Sequence, residues 1–143
     1  MTTVTSLWRC PRCGRRFANR NQTHTCAPPG RLADHYAGRD PEVVAAFRKL
    51  VATVRQNGQV AVLPEKTRIA FHARMSFAAF TLRKHWIDGH VVLGRLRDSA
   101  RFRSVQFFSP GNVLHTFRLT EPEQVDAEVA DWLREAFQRQ IDA

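Results

Sequence analysis

Acidic side chains are scarce through most of this sequence: residues 1–120 hold 6 of them, against 20 basic ones. Lysine is scarcer still, with 3 against 19 arginines. Between positions 66 and 118 only Asp88 and Asp98 are acidic, too few for the carboxylate cluster that magnesium-dependent phosphodiester chemistry needs. No apolar run approaches the roughly 18 residues of a membrane span. The opening Met1-Thr2-Thr3-Val4-Thr5-Ser6 has no signal-peptide core, so a cytoplasmic protein without a membrane partner is expected. There is no Gly-rich phosphate loop and no G-x-S-x-G elbow. His72, His85 and His115 could move protons, but none has a neighbour that makes a nucleophile–base pair, and a binding protein is expected rather than an enzyme.

Cysteine is limited to three residues, all between positions 10 and 26. An odd number fits a disulfide framework poorly, and a reduced compartment keeps thiols available as ligands. Cys10, Cys13, His24 and Cys26 form the pattern C-x2-C-x10-H-x-C. Two cysteines three apart on a turn bring both sulfurs to one point. His24 and Cys26, two apart, share one side of an extended backbone. Three thiolates and an imidazole suit tetrahedral zinc, and four protein ligands leave no open position, so a structural zinc is expected. A redox C-x-x-C is the alternative, but the βαβ setting of such motifs is missing. The same stretch carries Arg12, Arg15 and Arg16, with Trp8 and Phe17 as aromatics able to stack or to form a miniature core.

Ala27-Pro28-Pro29-Gly30 reads as a linker. It divides a finger-like module, residues 1–27, from a body, residues 28–143. Asp40-Pro41-Glu42 opens a helix whose apolar residues Val43, Val44, Phe47, Leu50, Val51 and Val54 recur at helical spacing until Gly58. Thr120-Glu121-Pro122-Glu123 reads as a capping box. It leads into the stripe Val125, Val129, Trp132, Leu133, Phe137 and Ile141. Between them, residues 59–119 alternate apolar and polar with short turns. Asp88-Gly89 reads as a hairpin turn or a bulge, and Ser109-Pro110-Gly111-Asn112 as a turn. The expectation is an α+β fold: an antiparallel sheet of about five strands flanked by N- and C-terminal helices and preceded by a small zinc finger.

The net charge is +9, yet residues 121–143 hold 7 acids and 2 bases. A basic body with an acidic C-terminal segment points to an anionic partner, DNA or RNA first. Alternation puts Lys66, Arg68 and His72 on one face of their strand, and Arg101 and Arg103 on one face of another. With Arg83, Lys84 and Arg118 they are expected to gather on the sheet face that helices leave open. A non-catalytic nucleic-acid or other polyanion binder is the reading these residues favour. A binder or enzyme for a small anionic metabolite, and a protein-interaction module docking through the finger or the acidic helix, are the alternatives.

The body resembles a bacterial domain-of-unknown-function family, numbered 5655. The resemblance rests on Leu32-Ala33-Asp34-His35-Tyr36-Ala37-Gly38, Pro64-Glu65-Lys66-Thr67-Arg68-Ile69-Ala70-Phe71 and Phe77-Ala78. It continues through Arg83-Lys84-His85-Trp86-Ile87-Asp88, His115-Thr116-Phe117-Arg118-Leu119 and Trp132-Leu133. Similar members carry a finger like Trp8 to Cys26. The resemblance implies a compact α+β domain and brings no established activity with it. Any site it implies falls on the polar members of those segments: Lys66, Arg68, Arg83, Lys84, His115 and Arg118.

Overall fold

The two amphipathic segments form helices, and the alternating region between them forms one sheet. The structure is a computed structural model that describes residues 8–11, 16–17 and 30–142. Trp8–Arg9 (β1) and Arg16–Phe17 (β2) pair antiparallel, Trp8 opposite Phe17 and Arg9 opposite Arg16. Cys10 follows β1 and is 3% exposed. Cys13, His24 and Cys26 lie outside the described residues, as do Arg12 and Arg15.

Leu32–Tyr36 (α1) precedes Pro41–Arg55 (α2). Asp40 and Pro41 start α2 as expected. The Asp40 carboxylate, however, caps no helical N–H. It accepts a hydrogen bond from His85 Nδ1 at 2.7 Å instead. Val43, Ala46, Phe47, Leu50 and Val54 are the buried stripe of α2. The expected antiparallel sheet forms with six strands: Ala61–Pro64 (β3), Ile69–His72 (β4), Ser76–Leu82 (β5), Ile87–Leu93 (β6), Ser104–Ser109 (β7) and Asn112–Leu119 (β8). They are antiparallel throughout, in the order β3-β4-β5-β6-β8-β7. The chain leaves β6 through residues 94–103, forms β7 at the sheet edge, and returns as β8 between them.

Ala127–Asp142 (α3) closes the fold. Its capping box is displaced from the expected position. Glu121 and Gln124 form the box on a single 3-10 turn, Pro122–Gln124. The N-terminus of α3 is held instead by Asp126 Oδ1, which accepts from the Val129 N–H at 3.1 Å. Val129, Trp132, Leu133, Ala136 and Phe137 bury against the sheet, joining the α2 stripe in one core.

Asp88-Gly89 is neither a turn nor a bulge; both residues lie within β6. The turn falls earlier, where the Arg83 N–H donates to Trp86 O at 2.7 Å. Gly89 is needed for packing. It sits between Phe80 and Phe117 in register. A Cβ there would lie 2.8 Å from Phe80 Cδ1 and 3.2 Å from Phe117 Cε2. Phe80 and Phe117 belong to the core, so the row Phe80-Gly89-Phe117 marks the helix-covered face. Period-two alternation then assigns the neighbouring rows to the opposite face.

Candidate anion-binding face

Two rows cross this opposite face. One runs Ala70-Ala79-His90-Thr116-Ser104 across β4, β5, β6, β8 and β7. The other runs Thr81-Asp88-Arg118 across β5, β6 and β8. The turn residues Arg83 and Trp86 share the parity of Thr81 and Asp88. Arg68, one residue before β4, extends the second row toward β3.

Asp88 is the hub of the face. Its Oδ2 accepts from Arg83 Nε at 3.2 Å. Its Oδ1 accepts from Arg118 Nε at 3.2 Å and from Trp86 Nε1 at 3.1 Å. The Arg118 guanidinium lies 4.7 Å from the centre of the Trp86 ring, a cation–π distance. Partial burial works against the Asp88 carboxylate, but the three donors outweigh it and hold its pKa below the ordinary aspartate value. Arg68 is anchored in the same way, donating from Nε to Glu65 Oε1 at 2.7 Å. Burial, with the nearby Arg68 charge, pushes His90 from 6.5 down to about 4.

Ala70, His72 and Ala79 are buried, although they stand on the side that α2 and α3 do not occupy. Lys66 and Lys84 are exposed. Arg16 is exposed on β2. Arg103 is exposed too, but it precedes Ser104 and so falls on the parity opposite Arg118. Arg101 does not share a strand face with it. It lies in the loop before β7 and turns to the helical side.

That turn belongs to a wider pattern absent from the sequence reading. The acidic C-terminal segment partners part of the basic body. Arg101 Nη1 contacts Asp126 at 2.9 Å and Glu128 at 3.2 Å, with its guanidinium 5.5 Å from the Trp132 ring centre. Arg97 Nη1 contacts Asp131 at 2.8 Å and Glu135 at 3.2 Å. Arg95 Nη2 reaches Glu135 at 3.0 Å. The opposed charge of the two segments was visible as composition, but composition does not say that the two meet. Trp86 and Asp88 were likewise missed as site residues, because Asp88-Gly89 read as a turn or a bulge.

Of the histidines named for proton transfer, His115 is held by its backbone contacts. His115 is fully buried: its Nδ1–H donates to Val113 O at 3.1 Å, and its Nε2 accepts from the Arg97 N–H at 3.0 Å. Burial lowers its pKa, so it stays neutral and pins the 94–103 loop. His35 joins Glu65 O at 2.7 Å, and His72 is buried. Among the described residues, Glu42, Glu121 and Glu123 stand close enough to share a cation, but all three are exposed. No described helix is long and apolar enough to cross a membrane.

Fold and face together define a small α+β domain whose antiparallel sheet is covered by helices on one side and carries arginines on the other. The chain belongs to the family described as Domain of unknown function (DUF5655), which it matches over residues 32–140. No curated protein and no solved structure matches it.

Proposed function

We propose that the protein is a zinc-containing, non-catalytic nucleic-acid-binding protein of bacterial cytoplasm, in two parts: a finger, residues 1–27, and the body, residues 28–143. Cys10, Cys13, His24 and Cys26 would hold the zinc. The buried Cys10 at the end of a two-stranded ribbon fits a ligand of such a site. The metal would keep Arg12, Arg15 and Arg16 on a stiff loop.

The observation that carries the proposal is the division of the arginines. Arg95, Arg97 and Arg101 are neutralised by α3 and the turn before it. Arg68, Arg83 and Arg118 gather on the other side of the sheet, where the exposed Lys66 shares the parity of Arg68 and only Glu65 and Asp88 pair with the arginines. A cationic sheet face of this kind suits a phosphate backbone. The test is titration of a labelled oligonucleotide at several salt concentrations. Binding should weaken steeply with salt, and Arg68→Ala with Arg118→Ala should abolish most of it. A small phosphorylated or carboxylated metabolite is the second reading. It would use the same Arg83 and Arg118 guanidinium groups for a single phosphate or carboxylate.

A further inference from the structure

We propose that Arg83 and Arg118 form a clamp for one phosphate group, preset by Asp88 acting as a positioning residue. The inference rests on the anion-binding reading of this face and assigns its centre. Both arginines meet Asp88 through Nε, on its two separate oxygens. Neither uses an Nη atom in any hydrogen bond or ion pair to a described residue. On the helical side the reverse holds. Arg97 and Arg101 contact their acids through Nη, so the ends that would grip a ligand are already engaged.

The chemistry follows from that difference. A guanidinium tied by Nε keeps both Nη groups for a second acceptor, and phosphate oxygens match that fork. Two such forks meet on one carboxylate, one from the turn after β5 and one from β8, with charge left over: two cations against one anion. The Trp86 ring centre lies 4.7 Å from the Arg118 guanidinium, and the Trp86 Nε1–H donates to the same Asp88 oxygen. The side chains of Arg83 and Arg118 remain 55% and 38% exposed, open to a ligand. Holding the arginines before binding reduces the rotamer entropy lost on capture.

Charge counting and the clamp predict opposite results for one substitution. Asp88→Asn removes a negative charge from a cationic face, so counting alone predicts tighter binding of anions. The clamp predicts binding about tenfold weaker, because the arginines lose the charge that gathers them. Arg118→Lys keeps the charge and loses the fork, and it should weaken binding to a similar extent; it also serves if Asp88→Asn does not fold. Folding of each variant is checked by thermal unfolding. Two probes are titrated, a labelled oligo-dT and inorganic pyrophosphate, while the Nε–Hε NMR signals of Arg83 and Arg118 are followed. Shifts of both signals with either probe, lost in Asp88→Asn, support the clamp; response to pyrophosphate alone identifies a small phosphorylated ligand as the source. Unchanged or tighter oligo-dT binding by both variants overturns the clamp and leaves the nucleic-acid reading standing. Failure of both probes to move the signals of the unmodified protein also overturns it.

Discussion

Single residues in this fold are held to narrow chemical states. His90 and His115 are neutral because burial disfavours their charged forms, and Arg68 adds repulsion at His90. Their folded pKa values lie below the unfolded value of about 6.5, so the unfolded chain takes up protons that the folded chain refuses. Stability should therefore be full above that pH and fall as the pH drops toward 4. The His90 displacement alone is worth about 3 kcal/mol at full protonation of the unfolded state. Asp88, Asp126 and Asp131 have lowered pKa values, and the stability they contribute begins to be lost about one pH unit above 3.8, as the unfolded carboxylates start to protonate, with the loss growing below it. Urea midpoints measured between neutral pH and pH 4 check this; a flat profile would contradict the neutral-histidine account. Gly89 is a second constrained residue. Gly89→Ala should cost about 1–3 kcal/mol, because the methyl must displace the packed Phe80 ring. Chemical denaturation measures the loss.

At the scale of elements, α3 acts as both core helix and counter-charge. Its apolar stripe covers the sheet while Asp131 and Glu135 bind Arg95 and Arg97. Arg101→Ala should lower stability by about 1 kcal/mol through the lost pairs and the contact with Trp132. It should reduce oligonucleotide affinity far less than Arg118→Ala does, since Arg101 is already neutralised. Equal losses in a binding assay would contradict the division of arginines between the two sides. Periodicity made both long helices and the sheet legible, because their apolar positions recur at 3.6 and 2 residues. It did not reveal the turn at Arg83–Trp86. Lys84 and His85 carry no glycine or proline signal, and the Gly89 that looked like a turn serves a packing need created by two distant phenylalanines. Lys66, Arg68, Arg83 and Arg118 were legible as candidates from charge and alternation. The partner of Arg83 and Arg118 was not, because Asp88 is brought to them only by the turn after β5 and the register of β6 with β8.

For the whole molecule, the charge asymmetry of the chain becomes a spatial one. One side of the sheet engages its arginines with acids through Nη, and the other ties its arginines by Nε, with no Nη contact to a described residue. The proposed finger should be separable from this unit. Chelation should unfold residues 8–26 and leave residues 40–140 folded, as read by amide exchange; melting of the whole chain as one unit would contradict the two-part division. The central claim, that the sheet face binds nucleic acid through its phosphates, is tested most directly by the salt dependence of oligonucleotide affinity. The account predicts a linear fall of log affinity with log salt, and a shallower slope, by about two contacts, when Arg68 and Arg118 are both changed to alanine. No binding at low salt, or a slope unchanged in the double variant, would contradict it.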